Sequence, residues 1–311
     1  MAEKTVNVHS ISHKMRQKAI WKGIIWGIIR WIFYLSIIYV IVYPILYVLS
    51  GSFKSYSDML NSTVIWIPKN PTFQNYLDAI KKVNYWQAFL NTLKLEIPAT
   101  LALTASCAVA GYGMGRYKFK GRSILFGLMI FTVVVPTQVI TLPKLLLYKD
   151  LGINDTIWAI ILPALLGIGL KSGIFVYIYT QFFRGIPKEL EESAYIDGCG
   201  DFKIFLRIMI PNATPAFVTV FLFSLVWHWS EVFETTTFIT TKAATTLAVR
   251  LSNITGYIST DTVATAQGVD PIAIAPIKYA FIMLVIAPMI ILYAFVQKKF
   301  VESVERTGII G

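Results

Sequence analysis

Six apolar stretches, each near the ~20 residues that carry a helix across a hydrocarbon layer, dominate this chain. They run approximately over Trp31–Leu49, Phe89–Tyr112, Ser123–Pro143, Trp158–Tyr179, Thr214–Phe233 and Ile277–Val296. Lipid offers no hydrogen-bond partners, so a spanning backbone must satisfy its own amides and carbonyls, and helices do that within one segment. With 56% hydrophobic and 14% charged residues and a mean hydropathy of +0.62, the chain holds more apolar surface than a single soluble core would hide. The expected fold is therefore an all-α polytopic membrane protein with six transmembrane helices in one domain over 1–311. The first stretch is read as a retained anchor, because its apolar region is long and no A-x-A cleavage site follows it.

Basic residues give the orientation. Seventeen Lys and Arg fall on the side of the termini, the Arg116–Arg122 loop and the Arg184–Arg207 loop, against eight on the other side. Both termini and the segment 180–213 are thus expected in the cytoplasm. Residues 1–30 form a basic segment in which His13, Lys14, Arg16, Lys18 and Lys22 alternate with Ile11, Met15, Ile20, Trp21 and Trp26. Two readings stand for it: a helix lying in the headgroup layer before the first span, or a plain positive flank. The net charge of +11 sits in membrane-flanking clusters without the interleaved aromatics of single-strand nucleic-acid binders, so anionic lipid is the expected counter-charge and nucleic acid is not. Prolines 44, 98, 136, 143, 163, 215, 276 and 288 lie in or beside the spans, where each removes a donor and predicts a kink or break.

Between the fourth and fifth stretches lies a polar segment, EESAYIDGCGDFKIFLRIMIPNATP over Glu191–Pro215. Pro187 suits the first turn of a helix, Glu189, Glu191 and Glu192 suit its positive end, and Gly198 supplies a stop. A second short helix from about Asp201 to Met209 is expected to end before Pro211. Two short helices meeting at a glycine make a compact knob, and the small residues Ala194 and Gly198 would let another surface approach the backbone.

The spacing Glu192-Ser193-Ala194, three residues, Gly198, nine residues, Ile208, one residue, Ile210-Pro211 resembles the EAA loop of permease subunits of ATP-binding-cassette importers. Gly185-Ile186-Pro187-Lys188-Glu189-Leu190 and Ile196-Asp197-Gly198 are similar to the carbohydrate-importer branch that includes the maltose permeases. Ser193 and Ile210 depart from that pattern. The resemblance implies the type I importer permease fold, a second related permease, two ATP-binding subunits and an external sugar-binding protein. It implies ATPase coupling through Glu191, Glu192, Ala194, Asp197, Gly198, Ile208 and Pro211. Thr246-Leu247-Ala248-Val249 looks like the outer loop that reaches the binding protein, which gives Thr246, Leu247 and Val249 as contacts. The tail 298–311 is similar at its Thr-Gly and final Gly, but departs at Glu302, Val304 and Glu305.

No G-x-x-x-x-G-K-[ST] phosphate loop occurs; Gly169-Leu170-Lys171-Ser172 has the wrong order and lies in a span. ATP and Mg are therefore expected in partner subunits, with no cofactor and no catalytic residue in this chain. Cys107 and Cys199 form no disulfide framework, and His9, His13 and His228 are too scattered for a metal. A secondary transporter would need inverted repeats and an acid relay, for which Glu96 and Glu231 are poor material. A membrane synthase would need a carboxylate or metal cluster that the sequence lacks.

The substrate pathway is expected at Trp227, Trp229 and Glu231 of the fifth span and at Lys171. Aromatic faces hold sugar rings and polar groups hold hydroxyls, while tryptophan at a span end also belongs to the interfacial belt. In a helix, Trp227 and Glu231 would share a face and Trp229 would not. Charges at Lys94, Glu96, Lys171 and Lys278 are costly in lipid and call for a cavity or a partner. The substrate expected from the resemblance is a saccharide, an oligosaccharide first; an anionic sugar is the alternative that the lysines leave open.

Overall fold

The structure, a computed structural model, describes residues 8–258, 264–265 and 268–308, with side chains over 20–242, 244–258 and 270–298. The first seven residues and Ile309–Gly311 of the tail lie outside the described residues. The chain opens with α1 (Val8–Ser52), followed by the short α2 (Tyr56–Leu60) and α3 (Gln74–Lys82) and the long α4 (Tyr85–Arg116). Then come α5 (Arg122–Val134), α6 (Thr141–Asp150), α7 (Trp158–Leu165), α8 (Ser172–Gly185) and α9 (Glu189–Ile196). The polar segment continues through α10 (Asp201–Ile204) and α11 (Ile210–Asn212) into α12 (Thr214–Trp229). Short α13 (Phe233–Phe238), α14 (Leu247–Ser252) and α15 (Ile254–Ile258) lead to a two-residue antiparallel pairing of β1 (Ala264–Thr265) with β2 (Gly268–Val269), and α16 (Pro271–Gly308) closes the chain.

Among the described residues three helices are long and apolar enough to cross a membrane, α1, α4 and α16, and two bent pairs raise the number to five. The expected third span is one of those pairs: α5 and α6 meet at 97°. Pro136 explains the break, because it pushes Val135 out of the helical region, to φ −70° and ψ 121°. The fourth expected span is also divided. Pro163 loosens α7, Gly167 at φ +71° ends it, and α8 begins after Lys171. Ser106 Oγ donates to the Ala164 carbonyl at 2.6 Å, one of the ways a broken helix satisfies freed acceptors. The fifth span enters from the polar segment through a 79° bend into α12.

The hub is α4, which packs against α7, α8 and α12. Its approach to α8 depends on Gly111, where an added Cβ would stand 2.4 Å from Tyr179 Cβ. Small residues permit this closeness, and close helix contact is what holds membrane bundles together. Around that contact Leu103, Cys107, Phe175, Tyr179 and Phe183 are fully buried. A second core joins α3, α4, α14 and α16 through Ala79, Ala88, Leu247, Ala280 and Phe281.

At the N-terminus α1 is one unbroken 45-residue helix, about 68 Å long at 1.5 Å per residue. No turn separates the basic segment from the first span, since nothing between Val8 and Pro44 breaks a helix beyond Gly23 and Gly27. Over the apolar part of α1 nothing is buried. Its attachment lies near its end, where Tyr47 meets Tyr279 of α16 at 6.0 Å and Tyr43 meets Trp66 at 5.1 Å.

Candidate functional site

The polar segment folds as its sequence signals require. Three acids occupy the first turn of α9, and Gly198 ends it at φ +79°. Gly198 N and Cys199 N close the turn onto Tyr195 O at 3.0 Å and Ala194 O at 2.9 Å. The second helix does not stop before Pro211 but runs on to Asn212. A π turn over Phe205–Met209, with Ile210 N on Phe205 O, widens the helix ahead of Pro211 and removes the ring-to-carbonyl clash that would have ended it.

Two of the residues named from sequence turn inward. Ala194 is buried in the main core, which also takes in Ile204 and Phe205, so its small size serves the chain's own packing rather than an open docking face. Glu191 is an internal brace: its Oε2 accepts from Arg116 Nε at 2.8 Å and Nη2 at 2.5 Å, and its Oε1 accepts from Tyr112 at 3.2 Å. Arg116 Nη1 also donates to Ile186 O at 2.8 Å and Phe183 O at 3.1 Å. The two side chains are 5% and 13% exposed, so this charge-assisted fork ties α9 to the end of α4 and caps the last turn of α8.

The other named residues face outward. Glu192, Asp197, Gly198 and Pro211 are exposed, and Ile208 is half-buried. A Cβ on Gly198 would meet nothing within 4 Å, so its requirement is conformational and the space over it is open. Beside it stand two apolar side chains that sequence reasoning passed over, Ile196 at 87% and Phe202 at 75% exposure. Their signal was readable: a large apolar residue directly before the helix-ending Asp197-Gly198, and another directly after Asp201. Tyr195 donates to Asp201 Oδ1 at 2.5 Å across the knob, which holds its phenol above its usual titration range.

The expected substrate residues do not form one site. Trp229 is buried, donates its Nε1 to Val285 O at 3.1 Å and meets Phe89; it locks α12 to α16. Trp227 is half-buried on the opposite side, stacked on Phe223 at 6.0 Å and against Phe175 at 5.3 Å. Helix α12 ends at Trp229, so Glu231 lies beyond it and does not share a helical face with Trp227. Its Oε1 accepts from Glu234 N at 2.8 Å, at the start of α13. Lys171 is exposed in the α7–α8 break with φ +59°, and Lys94 and Lys278 are exposed as well.

Thr246, Leu247 and Val249 are buried too, at 1%, 0% and 8% exposure. Thr246 Oγ1 caps α14, Leu247 N donates to Thr92 Oγ1 at 2.9 Å, and Arg250 donates to Val83 O at 2.6 Å and Asn84 O at 2.8 Å. These residues anchor the loop; its open edge is Ser252, Asn253, Thr255 and Gly256. One further feature escaped the sequence reading. Thr92, Glu96, Thr100 and Thr104 recur every fourth residue along α4 and are all buried. Glu96 Oε1, Thr100 Oγ1 and Thr104 Oγ1 have no hydrogen-bond partner among the described residues.

A bundle of kinked apolar helices that displays a braced polar knob at one end defines the membrane-spanning component of a transporter. Residues 108–306 match the binding-protein-dependent transport system inner membrane component family, and the chain belongs to that family. It is 33% identical to Protein LplC of Bacillus subtilis over 84% of this chain and 86% of that one. The arabinooligosaccharides transport system permease protein AraQ of Bacillus subtilis is 29% identical, over 89% and 92%. The polygalacturonan/rhamnogalacturonan transport system permease protein YtcP of the same organism is 28% identical, over 87% and 93%. Among solved structures, a bacterial ABC transporter involved in the import of the acidic polysaccharide alginate superposes with a TM-score of 0.74 at 23% identity, covering 90% of this chain and 98% of that one. The chain is thus a multi-pass inner-membrane subunit of an ABC importer, with a transport role rather than a catalytic one, and the secondary-transporter and synthase alternatives fall away.

Proposed function

We propose that this chain is the membrane-spanning subunit through which an ATP-driven importer moves a saccharide, an oligosaccharide in the first instance. Relatives named for arabinooligosaccharide and polygalacturonan or rhamnogalacturonan transport support the substrate class. The observation that carries the mechanism is the knob: Ile196 and Phe202 stand exposed around the open face of Gly198, on a base clamped by Arg116 and Glu191. In this reading two ATP-binding subunits, which hold ATP and Mg, dock on these knobs in the cytoplasm, where both termini also lie. Glu192, Asp197 and Pro211 contribute to that contact, and Glu191, Ala194 and Ile208 hold its geometry. A second, related permease and lipid cover the apolar length of α1. An external sugar-binding protein delivers substrate to the opposite end, where Ser252 and Asn253 are open.

Closure of the ATP-bound dimer would pull the knobs together and rock the two bundles from inward-facing to outward-facing. Trp227, half-buried against Phe175 of α8, and Lys171, exposed just before α8, are the proposed substrate-side residues; Trp229 is reassigned to packing. Neutral oligosaccharide remains the first reading, on the relative named for arabinooligosaccharides and because Lys94, Lys171 and Lys278 are all exposed rather than buried in the bundle.

The test is co-purification with the ATPase after Ile196→Asp or Phe202→Asp, alongside uptake normalised to intact complex. Loss of the ATPase with an intact permease pair is expected, and full retention by both variants would refute the docking surface. For Lys171→Met, normalised uptake is compared across neutral and acidic oligosaccharides. A loss confined to acidic sugars would move the reading to an anionic substrate.

A further inference from the structure

At the foot of the knob the ends of three helices enclose a basic pocket that shares Glu192 with the proposed ATPase contact but whose cations that contact leaves unused. Arg116 at the end of α4, Lys118 in the link that follows, Arg122 at the start of α5, Arg184 from α8 and Lys188 before α9 line a 420 Å³ cavity, within the ~300–1,000 Å³ typical of small-ligand sites. Glu191 and Glu192 are its carboxylates, and Glu191 is committed to Arg116. Lys118, Arg122, Arg184 and Lys188 enter no ion pair among the described residues. Arg122 Nη2 reaches only the Gly115 carbonyl, at 3.3 Å, and Arg184 lies over the Phe126 ring at 5.5 Å.

A second hollow of 470 Å³ shares Lys118 and Arg122 and extends over Gly121, Ser123 and Ile124. Here α5 begins, turned by Gly121 at φ +85° and with no side-chain cap and no acid in its first turn. The positive end of the helix therefore adds to the cations. From this point Ile124, Leu128, Phe131 and Val134 run along α5 at 70%, 57%, 62% and 74% exposure, and no residue of α5 is buried. A cationic seat thus opens directly onto an apolar stripe one helix long.

We propose that this pocket binds the phosphate headgroup of an anionic phospholipid, with the acyl chains lying along α5. Free phosphate would need only the cations; the continuous apolar stripe is what selects lipid. The location at the common end of α4, α5 and α8 is where a headgroup layer meets a bundle, and basic pockets between helices on the cytoplasmic side are suited to such headgroups. The leaflet rests on the cytoplasmic placement of this end given above. A lipid seated here would stiffen the base of α9, so coupling would depend on membrane composition.

The experiment uses the complete transporter in nanodiscs of phosphatidylcholine with increasing phosphatidylglycerol, and reads retained lipid by native mass spectrometry. Lys118→Gln with Arg122→Gln should lower phosphatidylglycerol retention about 25-fold, from two basic residues at roughly fivefold each; Lys118→Gln alone serves if the pair assembles poorly. A photo-crosslinking residue at Ile124 should trap phosphatidylglycerol. Equal retention by wild type and variants, displacement by inorganic phosphate as effective as by phosphatidylglycerol, or trapping of the ATPase at Ile124 would each overturn the proposal. Nanodiscs present the same lipid to both faces, so this result is independent of sidedness. Labelling of Lys120→Cys by an impermeant thiol reagent in intact cells, with the native cysteines replaced, reports separately on the cytoplasmic placement.

Discussion

Replacing Arg116 with methionine should release α9 from the bundle. Arg116 donates four hydrogen bonds in one place, two to Glu191 Oε2 and one each to the Phe183 and Ile186 carbonyls, and Tyr112 donates a further one to Glu191 from the other side. At 5% and 13% exposure the pair is close to fully buried, and removing one member strands the other's charge, which costs about 3–5 kcal/mol. Glu191 can swing outward and recover part of its hydration, so the lower end of that range applies. About 3 kcal/mol corresponds to roughly a hundredfold rise in the open population of the knob. Hydrogen exchange of the Glu189–Ile196 amides in the reconstituted permease reads this directly, since local opening sets their protection. The amides of α4, buried against α8, should keep theirs. The charge-swapped pair Arg116→Glu with Glu191→Arg should recover part of the protection, though not the bonds to Phe183 O and Ile186 O. Unchanged exchange in Arg116→Met would refute the brace. So would a double swap no better than either single reversal, because the loss would then be packing rather than pairing.

Gly198→Leu should uncouple ATP hydrolysis from uptake while the bundle still assembles. Gly198→Asn should be milder, since asparagine tolerates positive φ and most other residues lose ~1–2 kcal/mol there; equal, full coupling in both would sink the docking role. A cysteine at Lys188 should be shielded from an impermeant external thiol reagent while one at Ser252, exposed on the other loop, should react in intact cells once Cys107 and Cys199 are replaced; labelling of the first would invert the topology. Asp155 Oδ1 accepts from Thr240 N at 2.7 Å and Thr241 N at 2.9 Å and its Oδ2 from Thr241 Oγ1 at 2.6 Å, which holds its carboxyl below the usual range, chiefly through Thr241. Its contribution is therefore complete above the ordinary carboxylate pKa and disappears as pH falls through the lowered folded value. Exchange at Thr240 and Thr241 should rise at acid pH in the native chain, and Asp155→Asn should remove that pH dependence.

The knob was legible because its signals are local. Three acids, Gly198 and the spacing to Pro211 lie within one short stretch, and capping chemistry acts over single turns. The brace was not legible, because Arg116 and Glu191 are 75 positions apart and nothing local in either residue names its partner. The same limit explains Ala194 and Leu247: small or apolar residues beside a glycine or a cap read equally as open or buried until the opposing helix is known. Hydropathy located the six stretches but not the breaks within them. A Pro136 or Pro163 in an apolar run licenses either a kink or a division, and the choice rests on whether neighbours such as Ser106 can take up the freed carbonyl. Trp229 illustrates the remaining ambiguity, since a tryptophan at a span end looks the same whether it serves a ligand, an interface or, as here, a carbonyl of another helix.

One helix connects the polar knob to the loop that holds α14. At its end α4 holds the knob through Arg116. At its beginning it holds α14, because Thr92 accepts from Leu247 N and the carbonyls of Val83 and Asn84, just before α4, accept from Arg250. With 32 residues it is about 48 Å long, enough to cross the bilayer and reach both loops. Gly111 seats it so tightly on α8 that sliding along that contact would drive backbone into Tyr179. A displacement of the knob therefore reaches the far loop as a movement of α4 and α8 together, not as a bend confined to one end. Pro98 is the one interior position of α4 without an amide donor, and it lies between buried Glu96 and Thr100, whose Oε1 and Oγ1 have no hydrogen-bond partner among the described residues. Any change in the curvature of this strut is concentrated there, beside its polar interior.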